Sequence, residues 1–177
     1  MPDPTRLATV FETPLGWIAL ARTAAGLRRS TLPLPNREAA LAAIPNGATL
    51  VPEVADPLLA QAAGFLRDCL DGRPVACDLP LDLSDVPAFT RAALTACRAI
   101  PRGATVSYAE LARRAGNPKA ARAAGQAMRR NPLPLFIPCH RVIGSDGSLT
   151  GFAGGERALC RKQELLDIER DPNHLRR

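Results

Sequence analysis

Apolar and β-branched residues dominate three short runs near the start of the chain, Leu7–Thr13, Leu15–Arg22 and Leu27–Leu32. Turn residues separate them, with Gly16 and Gly26 on either side of the second run. Strands that follow one another so closely predict an antiparallel meander.

A helical pattern follows the strands. Asp56 can cap a helix that has Pro57 at its first position, and the segment 71–74 ends it. A shorter helix is predicted over Arg37–Ile44. The segment 75–86 is rich in Pro and Asp without a clear period, which indicates a linker. The predicted buried face of the longer helix consists of Leu58, Ala62, Phe65, Leu66, Cys69 and Leu70.

The second half of the chain is mostly helical in its pattern. A helix is predicted from Pro87, capped by Ser84 or Asp85, and another opens at Gly154-Gly155. Between them, Leu135–Ile137 is an apolar run that we expect to be buried. The stretch from 142 to 152, with turn residues at 145–148, predicts a hairpin that forms a wing.

Two short helices with a tight turn lie in the middle of this half. Ser107 caps Tyr108–Ala115, Gly116 ends it, and Asn117 caps a second helix over Pro118–Arg129. This arrangement is typical of a helix-turn-helix. Small residues along the second helix favour close approach to a DNA groove, although ordinary packing of an alanine-rich helix is the alternative.

Length and composition set the domain organisation. The 177 residues are 46% hydrophobic, enough to bury a core. We predict an α+β protein with an N-terminal support domain over 1–83 and a mainly helical domain over 84–177. No apolar run approaches the ~20 residues of a membrane span, and the N-terminus lacks a signal pattern. We therefore expect a cytoplasmic protein without a membrane partner.

The net charge of +6 is unevenly distributed. Residues 1–83 carry 7 basic and 9 acidic side chains, whereas residues 84–177 carry 16 basic and 8 acidic ones. The segment from Arg98 to Arg141, with both ends included, contains nine basic residues and one acid. This asymmetry is typical of a protein with a nucleic acid or an anionic membrane as partner, and a simple solubility feature of an arginine-rich chain explains it equally well.

The cysteines supply the candidate chemistry. Their number, five, is odd and no C-x-x-C pair occurs, so we expect free thiols. With only two histidines, a metal site is not expected. Cys139 differs from the others because it follows a proline-rich approach and precedes His140 and Arg141. A neighbouring base or cation can activate a thiol as a nucleophile, which a cysteine hydrolase would also need.

The residues around Cys139 carry a resemblance to a known family. The run Pro138-Cys139-His140-Arg141-Val142, with Asn131-Pro132 before it and 151–155 after it, resembles the O6-alkylguanine-DNA alkyltransferases. Tyr108 and the segment 116–123 resemble the helix-turn-helix of the same family. The resemblance is strong over 89–169 and weak in the first half, at 13–16.

The resemblance implies a fold and an activity. The fold is a small N-terminal α/β domain of the ribonuclease H-like type with an antiparallel sheet, followed by a winged helix-turn-helix domain. The activity is repair of double-stranded alkylated DNA, bound through the minor groove by a monomer. O6-alkylguanine, and to a lesser extent O4-alkylthymine, is flipped out, and its alkyl group moves irreversibly to Cys139. One molecule serves one turnover, and no cofactor is needed.

Catalytic roles are implied for four residues. Cys139 is the acceptor, and His140 takes its proton through a water molecule. Glu169 orients and polarises His140, a chain of nucleophile, base and orienting group. Asn131 ties the recognition helix to the active-site segment.

Further positions are implied to contact DNA or the flipped base. Arg122 fills the gap in the base stack, Tyr108 helps to rotate the nucleotide, and the carbonyl groups of Cys139 and Val142 accept from the guanine amino group. The N–H of Ala153 donates to O6. The remaining members of this set are Ala120, Ala121 and Gly125, which keep the helix slim, Arg129, Ser145 in the wing, and Phe152, which stacks on the base.

The chain departs from the family pattern at several positions. Phe152 stands where many members have Tyr, and Ala153 where some have Ser, which bears on the size of the accepted alkyl group. No histidine precedes His140, so the zinc site of some members is not expected. The alternatives are a damage sensor that does not transfer the alkyl group, a winged-helix regulator with an incidental cysteine, and a cysteine hydrolase.

Overall fold

The computed structural model describes residues 6–149 and 155–171, and the chain divides into two compact units. The first unit comprises Met1–Ser84 and Pro132–Leu135, and the second comprises Asp85–Asn131 and Phe136–Arg177. The chain first passes from one unit to the other between Ser84 and Asp85, one residue after the boundary proposed from the sequence. The return of four residues to the first unit was not predicted, because a short irregular segment carries no periodicity.

The sheet of the first unit has four strands. Strands β1 (Leu7–Thr13), β2 (Gly16–Thr23) and β3 (Gly26–Ser30) form the predicted antiparallel meander. Strand β4 (Thr49–Leu50) pairs with β1 in parallel and gives the order β3-β2-β1-β4. The expectation of a purely antiparallel sheet is therefore wrong. A strand of two residues has too short a pattern to be predicted.

Two α-helices belong to the first unit, α1 (Arg37–Ala42) and α2 (Pro57–Leu70). The predicted cap of α2 is confirmed, since Asp56 Oδ1 accepts from the N–H of Leu59 at 3.0 Å. Helix α2 buries Leu59, Ala62, Ala63, Leu66 and Leu70. In the first unit these side chains share the core with apolar residues of the sheet, among them Ile18, Leu20 and Leu27.

The segment 132–135 joins the first unit through Ser30, the last residue of β3. The N–H of Ser30 donates to Pro132 O at 2.9 Å, and its hydroxyl donates to Pro134 O at 3.1 Å. Leu133 is completely buried. These contacts, at residues 132–134, lie immediately before the apolar run Leu135–Ile137, which leads to Cys139.

The second unit is mainly helical. Its α-helices are α3 (Ala88–Arg98), α4 (Tyr108–Arg114), α5 (Ala121–Arg129) and α6 (Gly155–Arg170). Strands β5 (Val106–Ser107) and β6 (Val142–Ile143) pair in parallel, and Cys139–Arg141 forms a 3-10 turn before β6. The core of this unit includes Leu94, Cys97, Ile100, Leu111, Ile137, Val142, Leu165 and Ile168.

Local signals in this unit were right at α4 and wrong at α3. The Ser107 side chain caps α4 as predicted, accepting from the N–H of Glu110 at 3.1 Å. Helix α3 has Pro87 at its N-cap and no side-chain cap. Ser84 instead donates to the Asp82 carboxylate at 2.7 Å. Proline has no side-chain acceptor, so the first N–H groups of α3 receive no hydrogen bond from the side chain at the N-cap.

Helix α5 begins later than predicted, at Ala121 rather than Pro118. Asn117 Oδ1 accepts from the N–H of Lys119 at 3.2 Å, two residues on, which makes an Asx turn rather than a helix cap. The side chain that was expected to start the helix therefore holds the turn between α4 and α5.

The predicted wing is only partly within the described residues. Strand β6 pairs with β5, and the turn after it closes through a 2.7 Å bond from Gly144 N–H to Ser148 O. The arm expected to return through Phe152 lies outside the described residues. No helix in the described ranges is long and apolar enough to cross a membrane.

Candidate active site

Cys139 opens the 3-10 turn and is 4% exposed. Its N–H donates to Ile137 O at 2.8 Å, and Arg141 N–H donates to Pro138 O at 2.9 Å, so the backbone around the thiol is held locally. Burial raises the pKa of the Cys139 thiol, while a hydrogen bond from Asn131 and the charge of Lys162 act in the opposite direction. The group is therefore a protonated thiol at rest and needs a base.

His140 and Glu169 form the base and its partner. Nε2 of His140 lies 2.7 Å from Oε1 of Glu169, and both side chains are buried. Burial opposes the charge of Glu169, but hydrogen bonds from His140, Arg141 and Gly103 lower its pKa to about 2. Burial also lowers the pKa of His140. A neutral imidazole that donates from Nε2 to a carboxylate has Nδ1 free to accept a proton.

Arg141 binds the same carboxylate. Its Nε and Nη2 donate to Glu169 at 3.0 and 2.7 Å, while Nη1 donates to Ile100 O. Gly103 N–H donates to Oε2 of Glu169 at 3.0 Å. The carboxylate at the end of α6 is thus held by the turn after Cys139 and by the loop after α3.

Asn131 follows α5 and reaches the segment that leads to Cys139. Its Nδ2 donates to Ile137 O at 2.8 Å, and its side chain hydrogen-bonds to the Cys139 thiol. The predicted tie between the recognition helix and the active-site segment has this geometric basis. The role itself stays a prediction.

Lys162 is a residue that the sequence interpretation left without a role. It is completely buried on α6, and its Nζ donates to Val142 O at 2.6 Å. The Tyr108 hydroxyl lies 3.5 Å from the same Nζ. Burial lowers the pKa of Lys162 to about 8 and raises that of Tyr108 to about 12. The available signal was a lysine at an apolar position of α6 in a chain whose basic residues are almost all arginine.

Helix α5 turns one face inward and one outward. Ala124, Ala127 and Met128 are buried, whereas Arg122 and Arg129 are exposed. The exposed arginines leave this face open to a polyanion.

The small residues of α5 make a close contact within the unit. A Cβ at Gly125 would lie 3.7 Å from Cδ1 of Tyr108, so the tyrosine ring packs against the helix backbone. Ala120 and Ala121 are half-buried at the start of the same helix.

The other predicted site residues lie in the turn after β6 or outside the described residues. Ser145 is exposed in the turn after β6. Phe152 and Ala153 lie outside the described residues. None of the five cysteines, which all lie in the described part of the chain, forms a disulfide, and Cys160 is exposed on α6. In the described ranges no group of three or more His, Cys, Asp or Glu is placed to hold a metal ion.

Comparison with known proteins agrees with this geometry. The family model for the 6-O-methylguanine DNA methyltransferase DNA binding domain matches residues 88–171. The mouse methylated-DNA–protein-cysteine methyltransferase is 37% identical over 93% of this chain and 81% of its own length. This chain belongs to the methylated-DNA–protein-cysteine methyltransferase family.

Other members of that family are similar in sequence or fold. The constitutive methyltransferase of Bacillus subtilis (strain 168) is 45% identical over 64% of this chain and 67% of its own length. The structure of Mycobacterium tuberculosis OGT in complex with DNA has a TM-score of 0.77 and 31% identity, covering 93% of each chain. The chain therefore has the α+β fold of the family, with a mixed sheet.

Proposed function

We propose that this chain repairs alkylated DNA by moving an alkyl group from O6 of guanine to Sγ of Cys139. The observation that carries the proposal is a buried thiol followed directly in sequence by His140, whose imidazole is paired with Glu169 at 2.7 Å. A nucleophile, a base and a group that orients the base are the parts that this transfer needs.

The transfer is a displacement at the alkyl carbon. The thiol proton of Cys139 passes through a water molecule to Nδ1 of His140, and the negative charge of Glu169 stabilises the imidazolium. The thiolate then forms an S–C bond as the C–O6 bond breaks, and the electron pair of the C–O6 bond remains on guanine. A thioether is not displaced by water, so each molecule reacts once.

The burial of Cys139 requires the damaged base to leave the DNA stack. We place α5 in the minor groove, with Arg122 entering the stack where the base has left and Arg129 contacting the phosphate backbone. Ala120, Ala121 and Gly125 keep the helix slim enough for this approach. The exposure of both arginines supports the proposal.

The flipped base is read by backbone groups and by Tyr108. The Val142 carbonyl accepts from Lys162 and retains a second lone pair for the guanine amino group. The Tyr108 hydroxyl is protonated at neutral pH, and burial raises its pKa further, to about 12, so it can donate to the nucleotide. Phe152 stacks on the base, the N–H of Ala153 donates to O6, and Ser145 is a phosphate or pocket contact.

We also assign a domain type to each of the two units. The second unit is the winged helix-turn-helix that binds DNA and accepts the alkyl group, and the first is a ribonuclease H-like support domain. The helix cap at Ser107 and the turn at Asn117 support the assignment of a helix-turn-helix. A monomer in the cytoplasm that acts on double-stranded DNA remains our prediction.

The decisive experiment mixes the protein with one equivalent of a duplex containing one O6-methylguanine. Intact-mass and peptide spectrometry should find one added methyl group, on Cys139. Cys139→Ser should remain unmodified, and Cys160→Ser, which removes an exposed thiol, should react like the wild type. Tight binding without transfer would support a damage sensor instead. Operator binding indifferent to the lesion would support a regulator.

A further inference from the structure

Glu169 receives more hydrogen bonds than the pairing with His140 requires. Arg141 Nη2 and His140 Nε2 both lie 2.7 Å from the same oxygen, Oε1. Arg141 Nε is 3.0 Å from each carboxylate oxygen, and Gly103 N–H binds Oε2. An arginine fork holds a carboxylate in one orientation more firmly than a single donor does.

Arg141 is also anchored at its other end. Its Nη1 donates to Ile100 O, so the guanidinium cannot turn away from Glu169 without losing that bond. Its side chain is 16% exposed, which limits screening by solvent. The charged and titratable groups that act on His140 are Glu169 and Lys162 from α6 and Arg141 beside it, with the Cys139 thiol preceding it in the turn.

We propose that Arg141 is a positioning residue that shares the Glu169 carboxylate with His140 and thereby keeps His140 a neutral base. Its charge balances that of Glu169, so the carboxylate orients the imidazole without drawing a proton onto it from solvent. Nδ1 then stays free to receive the proton of Cys139. This role rests on the function proposed above.

The test compares three variants with the wild type. Single-turnover rates are measured at saturating O6-methylguanine duplex from about pH 5 to about pH 8, the range in which histidine changes its charge. Arg141→Gln removes the charge and the fork. Arg141→Lys keeps the charge but replaces the planar fork with a single nitrogen. Arg102→Gln is the matched control, because Arg102 joins the same loop to α6 by donating to Ile168 O at 3.0 Å.

Substitution of Arg141 should change the pH profile of the single-turnover rate, in addition to lowering the rate. In Arg141→Gln the acid limb should move up by about one pH unit, so that the rate on that limb falls about tenfold. Arg141→Lys should be slower than wild type with its limb nearly unmoved. Arg102→Gln should leave the limb in place. An unshifted limb in Arg141→Gln, or an equal shift in Arg102→Gln, would overturn the role.

A direct titration covers the case in which the variants fold poorly. The chain has two histidines, so His174→Gln leaves one imidazole for NMR. That imidazole should stay neutral below the ordinary pKa of about 6.5 in the wild-type background. Protonation at or above that pH would contradict the inference. Absence of methyl transfer by the wild type would instead overturn the proposed function, while the titration still tests the neutral state of His140 on which the role of Arg141 depends.

Discussion

Nε2 of His140 lies 2.7 Å from Oε1 of Glu169, with both side chains buried and 29 positions apart in sequence. Glu169→Gln keeps the shape but removes the charge that stabilises the imidazolium. We expect the single-turnover rate of methyl transfer to fall about 100-fold, the range of one acid–base interaction. Glu164→Gln is the matched control on α6, since Glu164 pairs with Arg161 away from the site. Equal rates for the two variants would contradict the mechanism.

The same carboxylate makes stability depend on pH. Despite burial, its hydrogen bonds hold the pKa of Glu169 at about 2 in the folded state, below its ordinary 4.5. The unfolded chain therefore binds more protons between these values, and stability is lost as pH falls from about 4.5 toward 2. Denaturant unfolding at a series of pH values should show this loss. Its slope should be smaller in Glu169→Gln and unchanged in Glu164→Gln.

Lys162 holds the Val142 carbonyl and lies close to the Tyr108 hydroxyl. Lys162→Met fills similar space but removes the donor, so both groups that we assign to the base lose their fixed partner. We expect transfer to slow about tenfold or more, as for loss of a charged hydrogen bond. Lys119→Met is the natural comparison, because Lys119 is the other lysine and is exposed. A variant as fast as wild type would remove Lys162 from the site.

Arg122 is expected to matter only when there is a base stack to open. In Arg122→Ala, transfer from O6-methylguanine duplex at saturating DNA should slow about 100-fold, in line with an unstacking cost of a few kcal/mol. Transfer from the free base O6-methylguanine should be unchanged. Arg130→Ala removes another exposed arginine at the end of α5 and should leave the saturated duplex rate unchanged. Parallel losses on duplex and free base would point to misfolding instead.

Gly16 tests the turn between β1 and β2. Its φ is +125°, and a Cβ there would clash with the backbone O of Leu34. Gly16→Ala should lower the free energy of unfolding by about 2–3 kcal/mol, through backbone strain and overpacking together. Gly47→Ala separates the two causes, because Gly47 has φ +82° with no atom within 4 Å of the added Cβ. Gly47→Ala should lower the free energy of unfolding by only about 1 kcal/mol. Equal losses in the two variants would mean that the clash at position 16 is relieved.

Sequence reasoning succeeded where the signal is local. The caps of α2 at Asp56 and of α4 at Ser107 bond to an N–H three residues on, and both were predicted correctly. It did not predict β4, or the parallel pairing of β4 with β1 and of β6 with β5. Neither strand is long enough to show a period, and nothing in either segment specifies which strand lies beside it.

The sequence by itself determined the chemistry of the candidate site: a cysteine after a rigid proline approach, a histidine beside it, and the motif that marks the family. It also determined which half of the chain is basic. Only the tertiary structure decided that Arg141 shares Glu169 with His140, and that Lys162 turns inward to Val142. The reason is physical. Residue type sets what a group can donate or accept, but burial and distance decide which partner it meets and which proton it keeps.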